Sequence, residues 1–591
     1  MHKLFRFLKP YWWQILLLLI GVAVQVFTTL QLPALMADII NNGIVTGDTG
    51  YIWRTGGVMI LLALLSAGCA LLSGYFSAKV GANFARDVRA EIFAKTLSLN
   101  LVDLKDFSTA SLTNRSTNDV NQVQQTMMMM LSILVRAPLF CIISLIMAIQ
   151  TAPDMSWIIA VGVTAVVGFT LMVILPVMPK FRVFQKLLDR VTLLTRESLT
   201  GVKVIRAFNN EKLEERRFEE TNNTLTKLII FIEKIMKLEN PLINIVFNGL
   251  TLLCTFVGIT LLKQNFAYLG DMSAFAQYVT HVMLSFLMLS MFFMMLPRAN
   301  VSAERIDEVL RVKSKIRWPD ETRGVPDKVP SVEFRKVDFS YPGASEKVLD
   351  DISFTARAGE TTAFIGSTGS GKSTLINLVP RFYEATSGEI LINGIKIGDY
   401  NKDDLMKRIG LVPQRGILFS GTVKSNIKFG APNATDEQVV RAAKIAQANS
   451  FVEKLPGGYK AHIAQGGTNV SGGQKQRLSI ARAICKNPDI FIFDDSFSAL
   501  DMKTDAKLRT ALKPVTADAV TLIVAQRVST IKGAEQIVVL NEGKIVGKGT
   551  HKELLKGCKI YQTIVESQLS EAEFAKEMKE ATKDLKEVAH A

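Results

Sequence analysis

Gly366-Ser367-Thr368-Gly369-Ser370-Gly371-Lys372-Ser373-Thr374 decides how this 591-residue chain is read. The spacing of its glycines ahead of Lys and Ser is the full pattern of a phosphate-binding loop. An apolar run, Thr362-Ala363-Phe364-Ile365, comes before it, and Leu375-Ile376-Asn377-Leu378 follows. The loop therefore stands between a predicted strand and a predicted helix. Its glycines let backbone N–H groups approach phosphates at a helix start, where the dipole favours negative charge. Each residue from Gly366 to Thr374 is expected at the nucleotide, with Lys372 reaching its terminal phosphates and Ser373 ligating Mg2+.

Working outward, Ile490-Phe491-Ile492-Phe493-Asp494-Asp495 is an apolar strand ending in an acid. Asp494 is where an ATP-hydrolysing motor holds Mg2+. The next position usually carries a Glu that orients the attacking water, and here it is Asp495. In Leu522-Ile523-Val524-Ala525-Gln526-Arg527, Gln526 stands where such motors usually place a His. Asp is one methylene shorter than Glu, so its carboxylate is set back by roughly 1–1.5 Å. A displaced base forfeits much of the 10²–10⁴-fold that general-base catalysis contributes. Gln526 hydrogen-bonds but takes up no proton. The other histidines of this region, His462 and His551, sit in unrelated segments. The site is expected to bind ATP firmly and to hydrolyse it slowly.

Val470-Ser471-Gly472-Gly473-Gln474-Lys475-Gln476-Arg477 is a second Gly-rich turn opening a helix. With SGGQ between the phosphate loop and the Asp-ended strand, the chain resembles ATP-binding cassette (ABC) transporters. The resemblance implies that Ser471, Gly472, Gly473 and Gln474 hold the ATP of an opposite subunit. It also implies that Tyr341 stacks on adenine, that Gln414 contacts Mg2+, and that Asp501, in Ser498-Ala499-Leu500-Asp501, touches the second cassette. Arg115, Asn118, Asp119, Glu197, Gly201 and Arg206-Ala207-Phe208 match family patterns in the other half of the chain. The Asp495/Gln526 pair resembles one half of the bacterial heterodimeric multidrug ABC exporters. That implies a partner half-transporter with Glu and His in its own site and an altered signature.

The N-terminal half reads as a membrane domain. Apolar residues make up 48 % of the chain and collect in six runs, 13–37, 57–78, 126–149, 157–178, 242–262 and 272–296. Each is long enough for a bilayer, which takes about 20 residues. The first run is too long for a cleavable signal and lacks a cleavage site. Lys3, Arg6 and Lys9 precede it, and the segments 79–125 and 180–238 are rich in Lys and Arg, whereas the opposite loops carry little beyond Arg54 and Lys263. The positive-inside rule then puts both termini in the cytoplasm. The same rule accounts for much of the net charge of +15. No aromatic-basic groove suggests nucleic acid. Cys69, Cys141, Cys254, Cys485 and Cys558 show neither metal nor disulfide spacing.

The expected architecture is an α-helical membrane domain, six transmembrane helices with long cytoplasmic extensions, fused to an α/β P-loop ATPase domain. Residues 1–312 form the membrane domain, 313–330 a Pro- and charge-rich linker, 331–566 the nucleotide-binding domain, and 567–591 a solvent-exposed charged helical tail. The extensions are expected to turn at Asp106–Arg115 and Asn209–Arg217, and residues 2–13 to lie in the membrane interface. Met283, Phe286, Met291, Phe292 and Met295 are candidates for a substrate pocket, because soft side chains adapt to varied ligands. Met127–Met130 form a weaker candidate. Arg136, inside a span, faces either the bundle interior or the membrane edge. The expected function is ATP-driven export of hydrophobic or amphipathic compounds across a bacterial plasma membrane. A lipid or peptide exporter, or a nucleotide-gated non-transporting protein, is the alternative.

Overall fold

The computed structural model describes residues 2–262, 269–327 and 329–588, so Lys263, expected in a loop on the side opposite the termini, lies outside the described residues. The chain divides into two compact units. One comprises Met1–Leu97 with Ser108–Val312, the other Ser98–Phe107 with Lys313–Ala591.

The first unit is built on α1 (Trp12–Asp38), α2 (Thr49–Ser98), α3 (Val120–Thr151), α4 (Trp157–Thr200), α5 (Glu211–Leu262) and α6 (Leu269–Arg311). At 1.5 Å per residue, 50 residues in α2 and 52 in α5 far outrun a hydrocarbon core of about 30 Å. Each therefore carries a long extension beyond the span. Close packing inside a membrane needs small residues. A Cβ on Gly162 of α4 would lie 2.7 Å from Leu250 of α5 and 2.9 Å from Met283 of α6, so three helices meet over that hydrogen atom. Tyr278 is fully buried and donates its hydroxyl to Leu30 O at 3.2 Å. Only 6 % of the apolar stretch of α2 is buried, against 33 % for the first helix, so α2 turns its apolar surface outward. Residues 2–11 coil tightly and dock, with Leu4 buried and Lys3 paired to Asp307 at 3.0 Å.

Both reversals fall earlier than the sequence suggests. The first lies at Ser98–Ser108, because Asn100 caps a helical turn, Leu101–Leu104, and Ser108 caps Thr109–Asn114 by accepting from Ser111 N–H. Residues 109–115 are helical. Arg115 pairs with Glu308 at 2.8 Å, and Asp119 accepts from Ser302 at 2.8 Å, so these family-pattern residues fasten their helix to α6. The second reversal runs from Gly201, which ends α4, to Asn209 at φ 52, after which Glu211–Arg217 already belong to α5.

The second unit contains two sheets. Strands β1 (Ser331–Phe339), β2 (Leu349–Arg357), β4 (Ser387–Ile392) and β5 (Ile395–Lys396) form an antiparallel sheet in the order β2-β1-β4-β5. The larger sheet holds β3 (Thr361–Gly366), β6 (Ile409–Val412), β7 (Ile490–Asp494), β8 (Val520–Val524), β9 (Gln536–Asn541) and β10 (Lys544–Gly549), in the order β10-β9-β3-β8-β7-β6. All neighbours in it are parallel except β9 and β10. Its inner strands are apolar on both faces, as parallel strands between two layers must be. One apolar core, containing Phe334, Phe354 and Phe364, fills the space between the sheets; the other packs the helices on the far side.

The segment 313–330 lies along this unit. Arg323 N–H donates to Asp399 O at 2.8 Å and Asp327 N–H to Asn393 O at 2.8 Å. The tail helix, read from sequence as solvent-exposed, is docked by one face. Phe574 and Met578 pack on the core, Ala581 is buried, and Glu577 pairs with Lys532. Its charged residues hid this, because a helix that is apolar along one narrow stripe still looks polar in composition. Phe334 stacks on Phe354 with ring centroids 4.7 Å apart. Phe334→Ala is expected to cost about 3–5 kcal/mol, which should lower the thermal transition of the nucleotide-binding unit by about ten degrees while leaving membrane insertion unchanged.

Candidate nucleotide site

Strand register builds the site. In the three central parallel strands, Phe364 of β3 aligns with Val524 of β8, and Val524 aligns with Asp494 of β7. Each chain leaves its strand at the same edge, which brings Gly366, Asp494, Asp495 and Gln526 together across some 160 residues of sequence.

Gly366 is required by contact: a Cβ there would sit 2.1 Å from Leu540 O. Gly369 and Gly371 adopt φ of +83° and +94°, a region that side chains disfavour. Lys372 Nζ folds into the loop and donates to Gly366 O at 2.9 Å, Ser367 O at 2.7 Å and Ser370 Oγ at 3.2 Å. Burial lowers its pKa, opposed by Asp495 and Asp494. Ser373, in the first turn of α7 (Lys372–Leu378), donates its Oγ hydrogen to Asp494 Oδ1 at 3.0 Å. Burial raises the Asp494 pKa, and the Ser373 bond and Lys372 only partly offset it. Two hard oxygen donors in contact, one a partly desolvated carboxylate, fit Mg2+. Ser373 and Asp494 would hold the ion, with phosphate oxygens and water completing its shell. Mg2+ bound there would neutralise charge on the phosphates.

Asp495 is buried and sits at φ 46, a left-handed conformation that Asp tolerates better than most residues. Its Oδ2 accepts from Gln526 Nε2 at 2.8 Å and from Gln414 Nε2 at 3.3 Å. Its carbonyl accepts from Ser498 Oγ at 2.8 Å. Burial raises its pKa, while the Gln414 and Ser498 bonds, Arg527 and Lys372 act against that rise. Gln414, expected at Mg2+, thus turns its amide toward the carboxylate. The position expected from the sequence to orient the attacking water is a carboxylate gripped by two amides.

Tyr341 bonds Thr374 through the hydroxyls at 3.0 Å and packs edge-on with Phe339 and Tyr383, at 4.9 and 5.3 Å. Lys105, from the short Ser98–Phe107 piece of the same unit, places its ammonium 4.3 Å from the Tyr341 ring centre. Sequence reasoning missed it, because no local pattern links residues 236 positions apart. Ser471 caps α8 (Gly472–Lys486): Ser471 Oγ accepts from Gln474 N–H and Gln474 Oε1 from Ser471 N–H. A Cβ at Gly472 would touch nothing within 4 Å, and one at Gly473 would lie 3.2 Å from Ala499 O. Among the described residues, no hydrogen bond joins Ser471–Gln474 to Gly366–Thr374. Gln476, one turn into α8, donates to Pro413 O at 3.0 Å, beside Gln414. Asp501 caps α9 (Met502–Leu512), accepting from Thr504 N–H at 2.9 Å.

In the first unit, Met283 and Phe292 are buried by packing within the bundle, whereas Phe286 and Met295 are half-exposed and Met291 is open. The five candidates therefore do not share one surface. Of the weaker set, Met127 is buried and Met128–Met130 are partly open. Arg136 faces the interior and donates to Gln25 Oε1 of α1 at 2.6 Å. A groove of about 370 Å³ between α5 and α6 is lined by Thr251, Thr255, Ser273, Gln277 and Thr280, with Cys254, Met272 and Ala276. Hydroxyls recurring four residues apart on an otherwise apolar helix were the available signal.

A phosphate-binding loop, a hydroxyl and a carboxylate in contact beside it, and an amide-held Asp on one sheet edge, in a chain with six helices able to cross a membrane, fit a membrane transporter driven by ATP. Residues 15–286 match the family of the ABC transporter transmembrane region, and 349–498 match the ABC transporter family. An ABC transporter ATP-binding protein of Mycobacterium tuberculosis is 38 % identical over 95 % of this chain and 97 % of its own length. An ATP-dependent lipid A-core flippase of Syntrophus aciditrophicus is 31 % identical over 88 % of this chain and 86 % of its own. The fold is that of a bacterial Atm1-family ABC exporter with ATP bound, with a TM-score of 0.78 at 24 % identity, covering 95 % of this chain and 99 % of that one. The chain belongs to the ABC transporters, as an exporter half with one membrane domain and one ATPase domain.

A buried Asp whose folded pKa lies above the ordinary value of about 3.9 binds its proton more tightly folded than unfolded, so it destabilises increasingly as pH rises through the folded value. Asp495→Asn, melted without nucleotide, should therefore raise Tm more at pH 8 than at pH 4.5; a pH-independent shift would refute this. A cation over an exposed ring contributes about two- to five-fold in affinity. Removing Lys105 should free the Tyr341 face, and titration with a fluorescent ATP analogue should show tighter binding to Lys105→Ala but not to Lys105→Arg.

Proposed function

We propose that this chain is one half of a heterodimeric multidrug exporter whose own ATP site holds nucleotide while a partner's site turns over. The observation that carries this reading is the Asp495 carboxylate, held by Gln526 at 2.8 Å and Gln414 at 3.3 Å. Both neighbours are amides, and neither accepts a proton from an attacking water. Hydrolysis at this site is slow for want of reach and of a proton acceptor. Gly472 supports the same reading from the other side, since open space at its missing Cβ leaves room for phosphates supplied by another chain. Ser471, Gly472, Gly473 and Gln474 then complete the partner's site. The partner carries Glu and His at the corresponding positions and an altered signature.

The substrates are hydrophobic or amphipathic compounds moved out of a bacterial cell across the plasma membrane, with both termini cytoplasmic. Phe286, Met291 and Met295 offer adaptable contacts, and the Thr- and Ser-lined groove between α5 and α6 offers hydrogen bonds to a polar group. A lipid is the second reading. The lipid A-core flippase relative favours it, and the guanidinium of Arg136 inside the bundle suits an anionic headgroup.

ATPase assays in lipid test the proposal. The chain alone should be almost silent, and co-purified with its partner half it should turn over briskly. Asp495→Glu with Gln526→His should raise turnover of the chain alone by at least tenfold. Brisk turnover of the unaltered chain by itself would remove the case for a partner.

A further inference from the structure

The switch loop is held from outside the ATP site, by a residue at the start of the tail. Gln568 lies between α12 (Lys559–Glu566) and α13 (Glu571–Val588), which follow α10 (Val528–Ile531) and α11 (His551–Gly557) in the chain. Its Nε2 donates to Gln526 O at 2.8 Å, and its Oε1 accepts from Val528 N–H at 2.8 Å. The two bonds straddle Arg527 and close on the loop as a peptide group of a paired strand would. Gln526 is therefore fixed at both ends, its carbonyl on Gln568 and its side chain on Asp495 Oδ2. A second tail contact meets the same segment one turn later: Glu577 of α13 pairs with Lys532, which follows α10, and approaches His551 Nε2 at 3.3 Å. Gln568 is itself exposed. Apolar burial does not account for its position, and the paired bonds to the loop backbone do.

We infer that Gln568 is a positioning residue of the ATPase site, acting through the backbone of residues 526–528 on the Gln526 side chain, and that the tail is part of the ATPase machinery. The inference rests on the ATPase fold alone and not on the heterodimer. Without the clamp, the loop backbone between β8 and α10 exchanges more freely with solvent and the Gln526 amide leaves Asp495.

Hydrogen exchange on the full chain in lipid, followed by single-turnover hydrolysis over a window long enough to resolve the slow turnover of its own site, tests this. Gln568→Leu should accelerate exchange of the peptide spanning 525–531 by about tenfold, the loss of one or two neutral hydrogen bonds, with β7 and β8 unchanged. The single-turnover rate should fall by a similar factor, with half-saturation by ATP unchanged. Gln568→Glu, which keeps the acceptor for Val528 N–H, should fall between. In a Gln526→Ala background, Gln568→Leu should leave the rate unaltered. Unchanged exchange at 525–531 would overturn the inference, as would a rate loss of equal size in both backgrounds. A drop in Tm matching the rate loss would reduce Gln568 to a structural residue.

Discussion

Everything in the ATP site depends on the register of three parallel strands. With Phe364, Val524 and Asp494 in line, the next residues of each chain emerge at a single edge. A slip by one residue would turn Asp494 to the opposite face and would separate Ser373 from its partner. That register is maintained by strands apolar on both faces, with Phe491, Ile492, Leu522 and Val538 all fully buried. Hydrophobic burial, which is indifferent to chemistry, thus fixes chemical groups to within hydrogen-bond distance.

The charged groups at this edge are in mutual tension. Lys372, Asp494 and Asp495 are partly or largely withdrawn from water, and burial disfavours the ionised form of each. Loop carbonyls satisfy the ammonium, a hydroxyl serves one carboxylate, and two amides serve the other. Such substitutes are weaker than full opposite charges. Nucleotide phosphates for Lys372, and a cation for Asp494, are better partners than those the protein provides. The left-handed backbone at Asp495 adds a local constraint, because a longer side chain must be accommodated from the same strained position.

The membrane half follows different rules. Lipid is as apolar as the helix faces, so helices are held by close approach and by few polar bonds. Gly162 against Leu250 and Met283 is one such approach, and Tyr278 on Leu30 one such bond. The sparse burial of α2 follows from the same rule, since apolar surface facing lipid carries no penalty. Beyond the span, where water returns, ion pairs such as Arg115 with Glu308 take over the fastening.

Sequence alone determined the six spans, the two-part organisation, the phosphate-binding loop, the acid that ends a later apolar strand, and the Asp495 and Gln526 that follow. These are legible because each is encoded locally, as an apolar run of bilayer length or as a loop in which neighbouring residues serve one ligand. The positions of both helix reversals were less so, since caps at Asn100 and Ser108 act over a few residues and compete with continuing helical periodicity. Only the tertiary structure decided that Met283 and Phe292 are buried within the bundle, that Arg136 turns inward to Gln25, that Lys105 covers Tyr341, and that Gln568 bonds the backbone at 526 and 528. Each of these is a contact between side chains far apart along the chain. Their partners are chosen by the register of strands and the meeting of helices, and no local pattern of residues records that choice.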